Sequence, residues 1–260
     1  KIGDDTADLA LRDLSLSIQS GEKVAICGRS GSGKSSTVLL LLRLLDPISG
    51  TSDGGQMYID DVPLHRIDRQ TLRQRIIAVP QESVFLPDGS SIRSNLDPFL
   101  VATDADCREV LERVGLWHPF VSERQVEGEG AADGKAGLDA GMNADMLSQG
   151  QKQLFSLARA MVRRRTRAKI GAEGGILLLD EISSSVDVVT DRDMQQIIQE
   201  EFVGYTILMV SHRLEMVMDF DKVIVMERGA VVETGAPRVL AEARESRFRS
   251  LWLTSHSEKD

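Results

Sequence analysis

The 260-residue sequence predicts an α/β fold organised around a phosphate-binding loop. Residues 28–35 match the pattern G-x-x-x-x-G-K-[ST], which connects a strand to a helix and binds phosphate groups. Residues 176–179 form a continuous apolar run, which is typical of a strand buried on both faces, and two acidic residues follow it directly. Strand and helix patterns alternate along much of the chain, so α/β is the class that we expect.

The phosphate-binding loop lies between the two elements that such a loop needs. Residues 23–27 are apolar and partly β-branched, and residues 37–45 are apolar enough for a buried helix. The glycines let backbone N–H groups turn inward, and the helix N-terminus adds partial positive charge. Lys34 is predicted to reach the β- and γ-phosphates, and the Ser35 hydroxyl to bind Mg²⁺. The predicted phosphate contacts are Gly28, Arg29, Ser30, Gly31, Ser32, Gly33, Lys34, Ser35 and Ser36.

Alternating and continuous apolar runs predict the other strands. Residues 9–18 place Leu14, Leu16 and Ile18 on one face, which indicates a strand antiparallel to the strand of the phosphate-binding loop. Residues 227–229 separate two apolar runs and indicate a hairpin turn. The remaining strands are predicted at residues 57–59, 76–79, 176–179, 206–210, 222–226 and 230–233.

Helices are predicted where apolar residues recur at helical spacing. Ser148 has the character of an N-cap ahead of an amphipathic helix. Residues 163–169 carry five basic residues in seven, which favours a solvated loop over a contact with headgroups or a partner. Residues 123–141 indicate an exposed connection. Further helices are predicted at residues 68–75, 104–115, 188–202 and 237–252.

Composition excludes several function classes. A net charge of −9 and a pI near 5.1 argue against general binding of nucleic acids, which requires a basic surface. The two cysteines form neither a metal-ligand spacing nor a disulfide framework, so we expect a reducing, cytosolic setting. No apolar run approaches the roughly 18 residues that span a bilayer, so we expect the chain itself to be soluble. The sequence begins at Lys1 without a methionine, and we expect a segment of a longer protein.

The acidic pair after the apolar run at residues 176–179 predicts a second part of the same site. Ligands bind at the carboxyl ends of strands in α/β sheets, so both carboxylates are placed to act on a bound nucleotide. Asp180 is predicted to hold the Mg²⁺ that Ser35 also binds. Glu181 is predicted to polarise an attacking water.

Four further motifs occur in a fixed order along the chain. They are V-P-Q-E at residues 79–82, L-S-Q-G-Q at residues 147–151, S-V-D at residues 185–187 and S-H-R at residues 211–213. Together with the phosphate-binding loop they resemble the Q-loop, signature, D-loop and H-loop of the nucleotide-binding domain of ATP-binding-cassette (ABC) transporters. The resemblance covers nearly the whole chain.

The resemblance implies one ABC-type domain over residues 1–260, with ATP and Mg²⁺ as ligands. Its fold would be a P-loop NTPase core with an antiparallel β-subdomain near the N-terminus and a helical subdomain inserted at about residues 82–162. Gln81 would bind Mg²⁺ and couple it to the transmembrane helices, Glu181 would be the general base, and His212 would contact the γ-phosphate. In this family the signature serves the ATP of a partner domain, which implies roles in trans for Ser148, Gly150 and Gln151.

The resemblance extends to partners and location. It implies a second nucleotide-binding domain, transmembrane domains of the same transporter, and the cytoplasmic face of a plasma or vacuolar membrane. Residues 90–99 and 111–117 resemble the multidrug-resistance-protein (C) subfamily, Glu181 resembles its second domain, and the basic stretch at residues 163–169 resembles its fungal members.

Two departures from the family pattern and two alternative functions remain. Gln149 replaces the usual glycine of the signature, and residues 1–22 contain no aromatic residue to stack on adenine, so we expect that residue upstream of Lys1.

A regulatory module that senses ATP with little turnover is one alternative function; Glu181 and His212 argue against it. A soluble ABC protein of translation or DNA repair is the other; the acidic pI argues against it.

Overall fold

The computed structural model describes residues 9–46, 57–118, 120, 137–182 and 186–257. Its strands are β1 (Lys23–Cys27), β2 (Tyr58–Ile59), β3 (Val62–Pro63), β4 (Ile76–Val79), β5 (Gly175–Asp180), β6 (Tyr205–Val210), β7 (Lys222–Glu227) and β8 (Ala230–Gly235). Its α-helices are α1 (Lys34–Leu41), α2 (Arg69–Arg75), α3 (Ile92–Leu96), α4 (Asp104–Arg113), α5 (Gln149–Lys169), α6 (Val188–Glu201), α7 (Pro237–Glu242) and α8 (Arg247–Ser257).

The chain forms two compact units. The first takes in the residues up to Ile77, Gly175–Glu181 and the residues from Gly204 onward; the second takes in Ala78–Gly174 and Ile182–Val203. Helices α3 to α6 therefore belong to the second unit. The helical subdomain at about residues 82–162 stays a prediction.

The main sheet has six strands in the order β4-β5-β6-β1-β7-β8. Strand β6 pairs in parallel with β5 and β1, and β1 pairs in parallel with β7, whereas β8 is antiparallel to β7. The hairpin between β7 and β8 is confirmed, because Arg228 and Gly229 both have positive φ, as a tight two-residue turn requires. Strands β1, β6 and β7 are buried over most of their length and β5 is buried at residues 177–179, which explains their continuous apolar runs.

The predicted N-terminal strand is wrong. Residues 9–22 form no strand, because β1 has parallel partners on both edges and no edge is left for an antiparallel neighbour. Leu14 and Ile18 still pack against the core, while Leu16 is exposed. The small antiparallel sheet in the described residues is the pair β2 and β3 instead.

Two predicted helices have different bounds. The helix after the phosphate-binding loop ends at Leu41 rather than residue 45, where Arg73 of α2 donates to the carbonyl oxygens of Leu42 and Arg43. The C-terminal segment forms two helices rather than one. Helix α8 begins where the Glu233 carboxylate accepts hydrogen bonds from the Phe248 backbone N–H and the Ser246 hydroxyl.

The basic stretch at residues 163–169 is not a loop. It forms the last two turns of α5, and its cations pair with acids of neighbouring helices in the second unit. Arg164 and Arg165 both bind Glu201 of α6, and Lys169 binds Asp106 of α4. The pattern of charges without apolar residues favoured a loop, but arginine, lysine and alanine have high helix propensity, and acidic side chains of α4 and α6 pair with several of these cations. Of the predicted connection at 123–141, residues 121–136 lie outside the described residues.

Candidate active site

The phosphate-binding loop connects β1 to α1 as predicted. Gly28, Gly31 and Gly33 have φ values of +153°, +75° and +102°, which side chains rarely allow. A Cβ atom at Gly28 would lie 2.3 Å from the carbonyl oxygen of Met226 in β7. The loop therefore needs its glycine at position 28 both for the backbone conformation and for the close approach of β7.

Lys34, the first residue of α1, is buried inside the loop. Its side-chain Nζ donates to the carbonyl oxygens of Gly28 and Arg29, at 3.0 and 3.1 Å. Burial lowers the pKa of Lys34, while the nearby Glu181 raises it. The cation is thus held at the place where the loop would surround a phosphate. The Ser35 hydroxyl, predicted to bind metal, belongs to an exposed residue in the first turn of α1.

Asp180 is the last residue of β5, and its carboxylate has a buried oxygen atom. Its Oδ1 is buried and has no hydrogen-bond partner among the residues described. Burial, and secondarily the adjacent Glu181, raise the pKa of the Asp180 carboxyl. A buried carboxylate oxygen without a donor is suited to a hard cation such as Mg²⁺, so this residue fits the predicted metal. No cluster of three or more His, Cys, Asp or Glu side chains suited to a metal occurs in the described part of the chain.

Glu181 and His212 lie in close polar contact. His212 Nε2 lies 2.6 Å from Glu181 Oε1. Glu181 has a φ of +48°, an uncommon conformation for a residue other than glycine, and its N–H donates to the Val210 carbonyl at 2.9 Å. The backbone at Glu181 thus places its side chain beside His212, the second residue after β6.

Sheet topology explains why these groups meet. Strands β5, β6 and β1 are adjacent and parallel, so their carboxyl ends lie along one edge of the sheet. Asp180 and Glu181 follow β5, His212 follows β6, and the phosphate-binding loop follows β1. The first unit therefore brings Lys34, Asp180, Glu181 and His212 to the edge where α/β sheets bind ligands.

The remaining predicted residues belong to the second unit. Ser148 caps α5: its hydroxyl accepts from the Gln151 N–H, and the Gln151 side chain accepts from the Ser148 N–H. A Cβ atom at Gly150 would be 3.6 Å from Thr190 of α6, so the α5 N-terminus packs closely there. Gln81 follows β4, and its carbonyl oxygen accepts from Gln153.

Two residues of α5 were not identified from the sequence, and one predicted residue lies outside the described part of the chain. Gln153 and Arg159 of α5 contact the segment after β4, and no spacing in the sequence signals this. Ser185 of the predicted D-loop lies outside the described residues; Asp187 caps α6 by accepting from the N–H groups of Val189 and Thr190.

Comparison with known proteins adds independent evidence. The family model "ABC transporter" matches residues 11–184, more than half of the chain. The chain belongs to the ABC transporter family. It is 56% identical over 254 residues to "ABC-type transporter braE" of Annulohypoxylon truncatum, and 54% identical over 251 residues to "ABC transporter FGM5" of Gibberella zeae. These matches cover 95% and 96% of this chain but 16% of each relative, so the chain spans about a sixth of their length.

A solved structure shows the same fold. The structure of a bacterial Atm1-family ABC exporter with ATP bound superposes with a TM-score of 0.75 and 26% sequence identity. The match covers 95% of this chain and 39% of that chain. The predicted α/β fold and the ATPase class are therefore confirmed: this is an ABC-type ATPase domain. Among the described residues, no helix is both long and apolar enough to cross a bilayer.

Proposed function

We propose that this domain hydrolyses Mg²⁺-bound ATP to drive export across a membrane, with Glu181 as the general base. The observation that carries the proposal is the Glu181–His212 pair, 2.6 Å apart, in the unit that also holds Lys34 and Asp180 at one sheet edge. A base of this kind must lie beside the phosphate-binding loop and be held in one orientation. The short contact with His212 supplies that orientation.

Each residue of the site has a distinct task. Lys34 would exchange its bonds to the loop carbonyls for bonds to the β- and γ-phosphates. Ser35 and Asp180 would hold Mg²⁺, which when bound neutralises charge on the phosphates. Glu181 would accept a proton from the attacking water, and His212 would hold Glu181 before ATP binds and then donate to the γ-phosphate. The V-P-Q-E motif supports a metal-binding role for Gln81.

The signature is proposed to serve a second nucleotide-binding domain. Ser148 and Gln149 are exposed at the N-terminus of a 21-residue helix, where the helix dipole favours an anion. Ser148, Gly150 and Gln151 would therefore contact ATP held by the partner domain. Both domains would act with transmembrane domains of the same transporter, at the cytoplasmic face of a plasma or vacuolar membrane.

Relatives support a finer assignment. Three relatives that are 44–56% identical to this chain are transporters of Annulohypoxylon and Gibberella species. Their resemblance supports a fungal exporter, and the motifs at residues 90–99 and 111–117 support the second domain of a C-subfamily member. The transported substrate is set by the membrane domains.

A direct test uses turnover at different protein concentrations. If each active site needs a signature from a second domain, the isolated chain should hydrolyse ATP slowly, and its rate per molecule should rise with concentration when it can homodimerise. The full transporter should turn over at rates independent of dilution. A transporter-like rate in a verified monomer would contradict the composite site. Negligible turnover in the intact transporter, with ATP still bound, would favour the ATP sensor instead.

A further inference from the structure

A row of polar side chains on α5 holds the segment that follows β4. Gln153 Nε2 donates to the Gln81 carbonyl oxygen at 2.5 Å. Ser83 Oγ donates to the Lys152 carbonyl at 2.9 Å and accepts from Ser156 Oγ at 2.8 Å. All these residues belong to the second unit. The backbone at Gln81 is therefore fixed to the helix that begins at the signature.

Arg159 holds the same segment one turn further along α5. Its guanidinium donates to the carbonyl oxygens of Val84 and Asn95, and lies 4.9 Å from the ring centroid of Phe85 and 5.0 Å from that of Phe155. Burial lowers the pKa of Arg159 to about 10. Residues 81–85 are thus attached to α5 at both ends, and the Gln153 bond is the attachment nearest to the side chain of Gln81.

The chemistry of the Gln153 amide points to a role beyond packing. Gln153 is 2% exposed, and the Gln81 carbonyl can only accept, so the NH₂ group must face it. The Oε1 atom is then buried without a partner in the described residues. A buried acceptor left unsatisfied destabilises the fold. The favourable contribution of the amide is its hydrogen bond to the Gln81 carbonyl oxygen.

We propose that Gln153 is a positioning residue that sets the placement of Gln81. The proposal rests on the proposed function in one respect, the role of Gln81 toward Mg²⁺. Because Gln153 lies five residues after Ser148 on the same helix, the bond also ties the Gln81 backbone to the signature. A displacement of one is transmitted to the other within the second unit.

The test uses the full transporter and Mg²⁺ as the probe. Gln153→Met keeps the length of the side chain and removes its donor. We expect the Mg²⁺ concentration for half-maximal ATP hydrolysis to rise roughly three- to tenfold, the equivalent of about one hydrogen bond. ATP binding measured without Mg²⁺ should not change, and backbone amides at residues 81–86 should exchange faster. Gln196→Met makes the same change at an exposed residue of α6 and should alter neither.

Gln81→Ala separates this inference from the proposed function. We expect Gln81→Ala to shift the Mg²⁺ dependence, and Gln153→Met to add nothing in that background. If Gln81→Ala shifts it and Gln153→Met alone does not, the positioning role is refuted while the proposed function stands. An equal shift from Gln153→Met in both backgrounds also refutes it. If Gln81→Ala has no effect, the metal role of Gln81 and this inference both fail. Should Gln153→Met lose ATP binding, Gln153→Asn, whose amide is one methylene shorter, takes its place under the same criteria.

Discussion

Replacing Gly28 or Gly31 by alanine tests how tightly the phosphate-binding loop is packed. Both glycines have positive φ in regions that side chains rarely adopt, so either substitution costs about 1–3 kcal/mol of backbone strain. At Gly31 the added Cβ meets nothing within 4 Å. At Gly28 it would lie 2.3 Å from the Met226 carbonyl oxygen and 2.7 Å from Ser32 Oγ, and such overpacking costs about 1–3 kcal/mol more. We expect Gly28→Ala to destabilise by about 2–6 kcal/mol in total.

Thermal unfolding of the nucleotide-free protein distinguishes the two contributions. One kcal/mol corresponds to about 2–4 °C in Tm for a chain near this size. The Tm of Gly28→Ala should therefore fall by about twice as much as that of Gly31→Ala, or more. Equal losses at the two positions would show that β7 does not limit the space at Gly28. A larger loss for Gly31→Ala would contradict the loop conformation described above.

Two further predictions concern Asp180 and Gln149. Burial raises the pKa of Asp180, so its charge opposes folding above that pKa and not below the ordinary value of 3.8, where the carboxyl is neutral in both states. Asp180→Asn should accordingly raise the Tm of the nucleotide-free protein at pH 7, and this gain should disappear below pH 3.8. The same substitution should abolish the stabilisation by Mg²⁺ with ATP. A lower Tm at pH 7 would contradict the presence of an uncompensated buried charge at Asp180. Gln149→Gly should change turnover or nucleotide release at the partner's site more than at this domain's own, because glutamine adds bulk and restricts φ beside the phosphate. Nucleotide trapping that separates the two sites checks this, and equal effects at both would argue against a signature acting in trans.

Much of the fold was predictable because its elements carry local signals. The apolar runs predicted β4 and β6 closely, and Asp68 and Ser148 mark the helix starts that they cap. The grouping of Asp180, Glu181 and His212 followed from motif order together with the rule that ligands bind at the carboxyl ends of strands. These inferences needed only neighbouring residues and a known chain order.

The errors arose where tertiary partners decide the structure. Residues 9–18 alternate like a strand, but both edges of β1 are occupied by strands from the distant C-terminal half. The basic end of α5 pairs with Glu201, which lies 36 residues after Arg165. The Gln153–Gln81 bond joins residues 72 positions apart. Sequence spacing contains no signal for such pairings.

The central claim is that Glu181 is the base, and Glu181→Gln in the full transporter tests it most directly. The amide keeps the shape of the side chain but cannot accept the proton of the attacking water. We predict that ATP binding is retained while steady-state phosphate release falls by at least about 100-fold, the lower range for general-base catalysis. Lys34→Ala, measured alongside, should instead weaken ATP binding itself, because it removes the cation at the phosphates. Phosphate release by Glu181→Gln at the unsubstituted rate, with ATP binding intact, would show that Glu181 is not the base.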